Sequence, residues 1–207
     1  MFGQGRKSKG RLRSFGSKHA SFERRNALIL ESLPKQQSWV LDVGSNLGDT
    51  SNYLAEEGHV VLGIEKMEPE YRRALAGANP MAAFLCTGAT PAFMRSTVDW
   101  DAILLLSVLH RLYAFEDETF MRDVLFECGQ KSAHLFIEGS TRHERYSDHG
   151  SPAPDFPDLD VAASDAWHQA LFRDVLGNGW SVPEGVRLEC SKAEPYRLFY
   201  HLQRKSD

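Results

Sequence analysis

The residues best able to do chemistry first gather at a strand-to-helix turn, residues 39–49, which reads WVLDVGSNLGD. Asp42 closes an apolar run, and Gly44 and Gly48 bracket a tight turn where a side chain would hold a ligand away from the backbone. A helix starting near Gly48 aims unpaired N–H groups at such a ligand. About twenty residues on, a second apolar run, HVVLGIE, ends in Glu65, where a carboxylate accepts hydrogen bonds from both hydroxyls of a ribose. The turn lacks the lysine of a GxxxxGK(S/T) phosphate loop, and Gly44-Ser45-Asn46-Leu47-Gly48 does not follow the GxGxxG spacing. Asp42 would repel a pyrophosphate. It suits instead a ligand that carries an ammonium group and no phosphate.

A second group lies further along. The most apolar run of the chain, DAILLL, leads into Ser107, His110 and Arg111, and AHLFIE ends in Glu138. His110 is placed either to act as a base on a hydroxyl or amine or to pack on the next helix. Glu138 stands on the same crevice edge, or is a solvent-facing strand end. Arg142, His143, Arg145, Tyr146 and His149 fall within eight residues, and guanidinium forks match phosphate and carboxylate. The alternative for that stretch is a solvated polar loop. His59, His134, His168 and His201 lack ligand spacing and read as structural, and Cys86, Cys128 and Cys190 lie too far apart for a disulfide framework or zinc site. No metal is expected.

These stretches resemble the class I S-adenosylmethionine (SAM)-dependent methyltransferases. Their first motif is similar to Asp42–Gly48, their ribose-binding acid to Glu65, and their fourth-strand motif to Asp101–Arg111. The resemblance covers roughly residues 36–138 and implies that SAM is held by Asp42, Gly44, Ser45, Asn46, Gly48, Glu65 and Ser107, with His110 and Glu138 on the catalytic side. Asn46 stands where many members have glycine, and FLCTGATPAF lacks the acid that often meets the adenine amine. LSVLHRLY and SKAEPYRLFYHLQRK look like the RNA 5′-phosphate-capping and glycan-terminating phosphate methyltransferases. That narrower likeness implies an anionic acceptor such as RNA or a phosphorylated glycan, held by Arg111, Arg142 and Arg145. A small-molecule O- or N-methyltransferase, a non-catalytic SAM-binding module and a nicotinamide-dependent oxidoreductase stay open as alternatives.

Elements must position these residues. Residues 21–33 space Phe22, Leu28, Ile29 and Leu33 along one helical face, and Pro34 stops the run. Ser38–Val43, His59–Glu65, Ala82–Cys86, Asp101–Leu106 and Ala133–Glu138 read as buried strands, alternating with helices at Asp49–Glu57, Pro69–Ala78 and Glu116–Cys128. Such uniformly apolar strands need cover on both faces. The expected fold is therefore α/β, a doubly wound, mostly parallel seven-stranded sheet of the Rossmann-like methyltransferase type. Val186–Cys190 and Tyr196–Gln203 supply its antiparallel C-terminal end. Residues 139–163 carry Pro152, Pro154 and Pro157 and read as a long ordered lid, after which Ser164 caps a helix to about Leu176.

With 207 residues, 42% of them hydrophobic, the chain can build one full core. No apolar run approaches the roughly 20 residues of a membrane span, and no apolar stretch follows the basic start, so a cytoplasmic protein is expected. The net charge of −4 is divided unevenly: residues 1–25 hold eight Lys and Arg against Glu23 alone, a local +7, which leaves −11 for the rest. Residues 1–19 read as a mobile basic arm, a solvated tail or a hand for an anion, on a methyltransferase domain of residues 20–207. The sequence does not fix an oligomeric state.

Overall fold

The computed structural model describes residues 20–147 and 152–205. The expected arm of residues 1–19 and the lid's His149 lie outside them.

Helix α1 (Ala20–Ser32) precedes β1 (Trp39–Val43), α2 (Asp49–Glu56), β2 (Val60–Glu65), α3 (Glu68–Ala76) and β3 (Ala82–Cys86). The chain continues through α4 (Pro91–Ser96), β4 (Ala102–Leu106), α5 (Leu109–Phe115), α6 (Glu118–Lys131) and β5 (His134–Ser140). Helix α7 (Val161–Leu176), β6 (Trp180–Ser181), β7 (Val186–Glu189) and β8 (Tyr196–Arg204) complete it. The strands run β3-β2-β1-β4-β5-β8, parallel as far as β5, with β8 antiparallel to β5. β6 pairs with the end of β8 at Gln203–Arg204, and β7 with its stretch 196–199. Both lie on the edge that β5 leaves free. Eight segments therefore fill the seven expected places, and the two-residue β6 is too short to leave a period in the sequence.

Alternation along the strands splits the core in two. Leu41, Val43, Ile103, Leu105, Leu135 and Ile137 face one layer, packed with Leu109, Val124, Leu125 and Phe172 from the helices. Val40, Ala102, Leu104 and Phe136 face the other, with Ile29, Leu54 and Ala74. Both faces are covered, as parallel strands require.

The order reverses direction at β1 and β4, which pair with Asp42 opposite Leu104. At such a switch point the loops leave to opposite sides, and a crevice opens beyond the carboxyl ends of the strands. Asp42, Ser107 and Glu138 are delivered to that crevice.

The expected lid differs in detail. Residues His143–Tyr146 form a 3₁₀ turn anchored by Tyr146, which is fully buried and shares a 2.8 Å hydrogen bond with His168 Nε2. Helix α7 starts earlier than Ser164: Asp160 is its cap, accepting from Ala163 N at 3.0 Å. Ser164 sits inside the helix, where its hydroxyl bonds the Ser140 carbonyl at 3.3 Å. The prolines masked the true start, because an Asp cap followed by Val-Ala-Ala looks unexceptional beside them. Among the described residues no helix is long and apolar enough to cross a membrane.

Candidate active site

A cleft of about 380 Å³ occupies the switch point. Asp42, Gly44, Ser45, Asn46 and Leu47 line one side, with Asp49 and Thr50 from the start of α2. Leu106, Ser107 and Arg111 come from β4 and the chain after it, Glu138 from β5, and Arg145 from the 3₁₀ turn. Arg25 reaches in from α1, Glu194 from the connection before β8, and Arg197 from the start of β8.

The turn holds its shape through backbone bonds. Gly44 N and Ser45 N both donate to the Ile64 carbonyl, at 2.8 and 3.0 Å. Gly44 and Gly48 have φ of +68° and +78°, and Asn46 takes the left-handed region at +52°. Asparagine tolerates that region better than most residues, so it can stand at a turn position that otherwise favours glycine. A Cβ on Gly44 would lie 2.8 Å from Val108 Cγ2, and one on Gly48 would lie 2.7 Å from Phe84 Cζ. The two glycines therefore serve backbone conformation and packing at this turn.

Asp42 is 2% exposed and accepts a 2.6 Å bond from Ser51 Oγ. Burial pushes its carboxyl up; Ser51 and the Arg25 guanidinium oppose that, and the pKa comes to about 6. An acid this poorly compensated is a group that a cation would stabilise. The Ser45 hydroxyl is also buried on the cleft wall, without a hydrogen-bond partner. Glu65 accepts from Asn46 N at 3.0 Å and Met67 N at 2.8 Å, and it does not line the cleft.

The other side is an ionic chain. Glu138, 1% exposed, receives Arg25 Nη1 at 2.8 Å, Arg197 Nη1 at 2.7 Å and the Ser107 hydroxyl. Burial alone would raise the Glu138 pKa; the two guanidiniums and Ser107 outweigh it and hold it at about 2. The strand-end place expected for Glu138 on the crevice edge is where the structure has it, with both carboxylate oxygens engaged by the two arginines and Ser107. Arg197 continues to Glu194 at 3.1 Å, and Arg145 meets the same carboxylate at 3.0 Å. Arg111 lines the cleft, is exposed, and has no ion-pair partner among the described residues.

Two other expected site residues stand apart. His110 is 5% exposed and does not line the cleft; burial first, then Arg197, Arg145 and Arg111, keep its ring neutral well below the ordinary histidine pKa. It packs edge-on to Tyr146, with ring centroids 5.8 Å apart. Arg142 pairs with Glu144 of its own segment and does not line the cleft. Conversely, Arg25, Arg197 and Glu194 were not singled out. Arg25 enters the sequence reading only in the charge tally of residues 1–25. Arg197 had a readable signal, an arginine two residues before a buried Phe199 on the same strand face, where a charge needs a partner.

No family model matches the sequence, and no curated protein does either. Solved structures do. Magnesium protoporphyrin IX methyltransferase (ChlM) from Synechocystis PCC 6803, with bound SAM, superposes with a TM-score of 0.62 at 15% identity, over 88% of this chain and 77% of its own. N-methyltransferase NodS from Bradyrhizobium japonicum WM9, in complex with S-adenosyl-L-homocysteine (SAH), gives 0.63 at 18%, over 90% and 88%. The bifunctional kinase-methyltransferase WbdD gives 0.61 at 17%, over 93% of this chain and 40% of that one. The fold is thus the Rossmann-like fold of the class I SAM-dependent methyltransferases.

Proposed function

We propose that this chain is a SAM-dependent methyltransferase that methylates an oxygen of an anionic, phosphate-bearing acceptor. The observation that carries the reading is the charge lining the cleft: Asp42 and Asp49 come from the β1–α2 side. From other elements come Arg145 and Arg197, shared with Glu138 and Glu194, and Arg111, which has no ion-pair partner among the described residues. A cofactor with an ammonium group suits the acids and an anion the arginines. The solved neighbours that carry SAM or SAH support the cofactor. WbdD unites a methyltransferase with a kinase, and a kinase makes phosphate groups.

The residues present fit the cofactor. Asp42 on the cleft wall would hold the ammonium, and Ser45 beside it would line the same end of the cofactor. Glu65 spends one lone pair per oxygen on backbone N–H groups and keeps the others for ribose hydroxyls. When bound, SAM supplies an electrophilic methyl group. The chain's part is to hold the acceptor oxygen in line, through Arg111 and Arg145, with Glu138 and Glu194 fixing the surrounding guanidiniums. An ionised phosphate oxygen needs no base, in keeping with the low pKa of Glu138 and the burial of His110.

Thermal shift with SAM, SAH, NAD and NADP tests the cofactor, because a ligand selective for the native state raises Tm. Transfer of a labelled methyl group to extracted acceptor pools, with and without prior phosphatase, tests the acceptor. Labelling that survives phosphatase overturns the phosphate.

A further inference from the structure

Two buried polar residues of α7, Ser164 and His168, sit one helical turn apart and away from the cleft lining. His168 Nδ1 lies 2.7 Å from the Ser164 carbonyl, which can only accept, so Nδ1 carries the proton. Nε2 is then the acceptor, and the Tyr146 hydroxyl donates to it at 2.8 Å. Burial holds the imidazole neutral, with a pKa of about 4, so the pattern does not change around neutral pH. The fit is close. A Cβ on Gly139, the residue after Glu138, would run into His168 Nε2. A fully satisfied buried network of this kind fixes one geometry, which an apolar pair of the same size would not.

What the network fixes is the segment between β5 and the 3₁₀ turn, held at its two ends. Ser164 Oγ donates to the Ser140 carbonyl at 3.3 Å, where β5 stops, and His168 holds Tyr146, where the turn stops. Ser140 is itself a junction: its hydroxyl donates to Glu194 Oε1 at 2.5 Å and accepts from Arg142 N at 3.1 Å. Arg145 is the residue before Tyr146. Its guanidinium meets the other Glu194 oxygen at 3.0 Å and lines the cleft. We propose that Ser164 and His168 are positioning residues for the acceptor: by clamping residues 140–146 from both ends, they set the place of Arg145 in the cleft. The inference rests on the anionic-acceptor reading above. Arg111 and Arg197 stand on α5 and β8, outside the clamp. Releasing it therefore displaces one cleft arginine and leaves the other two, and the cofactor side, in place.

The test reads anion binding by calorimetry on the full chain saturated with SAH, with inorganic phosphate as the probe. Arg145→Ala is expected to weaken phosphate binding about tenfold, the worth of one charge-assisted contact. Tyr146→Phe removes only the hydroxyl. It is expected to weaken phosphate about three- to tenfold and to leave SAH affinity within about twofold of wild type. In the Arg145→Ala background the same change is expected to add nothing, because the clamp then has no guanidinium to place. His168→Leu is expected to match Tyr146→Phe. His168→Gln, whose side-chain carbonyl can accept from Tyr146, is expected to recover phosphate binding to within about twofold of wild type. Ser164→Ala opens the other end of the clamp and serves, with the expectation of Tyr146→Phe, if those variants do not fold. The clamp is overturned, and the acceptor reading stands, if these changes leave phosphate binding as in wild type or cost the same factor with and without Arg145. The same holds if His168→Gln fares no better than His168→Leu. If wild type binds no phosphate, or Arg145→Ala leaves its binding unchanged, both fall.

Discussion

Glu138 and Arg197 meet diagonally across the antiparallel β5–β8 pair: Glu138 stands opposite Phe199 and Arg197 opposite Ser140, yet Arg197 Nη1 lies 2.7 Å from Glu138 Oε1. The same carboxylate holds Arg25, so one buried anion sits between two cations from opposite ends of the chain. Glu138→Gln removes the anion and leaves both guanidiniums, which is the costly way to break a buried pair. The expected loss is about 3–5 kcal/mol, read from urea unfolding with an unchanged m value. A loss under about 1 kcal/mol would mean that solvent already compensates the cations.

Stability should also fall in acid, with a sign fixed by the same residue. Glu138 titrates at about 2 in the folded chain against an ordinary 4.5. Its depressed pKa gives stability present in full above pH 4.5 and lost as pH falls toward 2, on the order of 3 kcal/mol. The gap between wild type and Glu138→Gln should therefore narrow across that window in an acid titration.

Asp42 works in the other direction. Its pKa of about 6 lies above the ordinary 3.8, so ionisation costs folding stability as pH rises from 3.8 to 6. Asp42→Asn should stabilise the ligand-free protein above pH 6, by up to about 3 kcal/mol, and abolish SAM binding. In wild type the cation should force ionisation, so that binding releases protons and tightens as pH rises through 6. Calorimetry in buffers of different ionisation enthalpy reads that release. No proton release at pH 6 would place the ammonium elsewhere.

The turn offers a fourth test. Gly48→Ala places a Cβ 2.7 Å from Phe84 Cζ at φ +78°, so both strain and overpacking oppose it. A cost of about 2–4 kcal/mol is expected from chemical denaturation. Asn46→Gly, at φ +52°, should be nearly neutral, and Asn46→Val should cost about 1–2 kcal/mol. Equal stabilities for Asn46→Gly and Asn46→Val would show that the turn relaxes.

What the sequence made legible follows the range of the forces involved. Ala82–Cys86 was bounded as the structure has it, and β1, β2, β4 and β5 were placed to within two residues, because apolar runs between turn residues are local signals. Asp42, Gly44 and Ser107 reach the crevice because strand order alone carries strand ends there. Arg25, Glu194 and Arg197 converge on Glu138 or its neighbours from residues far apart in the chain, and no local pattern records such a meeting. Arg142 and Arg145, three apart, read as one anion site in sequence, but the 3₁₀ turn pinned by Tyr146 turns only Arg145 into the cleft.

The final prediction separates an anionic acceptor from one that needs a base. His110 is buried, neutral and outside the cleft lining, whereas Arg111 lines it, is exposed and has no ion-pair partner among the described residues. If the acceptor arrives already ionised, turnover should be flat from about pH 7 to 9, since no side chain titrates in the chemical step. Arg111→Ala should lower kcat/KM by about tenfold or more, the worth of one charge-assisted contact, and leave SAH affinity unchanged. Added salt should mimic that loss in wild type and have less effect in the variant, because screening and truncation remove the same attraction. His110→Gln, assayed below its melting temperature, should keep kcat within about threefold of wild type, short of the factor that general-base catalysis contributes. A rate that climbs through pH 7 and collapses in His110→Gln would instead make His110 the base for a neutral hydroxyl or amine. The arginines would then hold a remote anion of the same substrate.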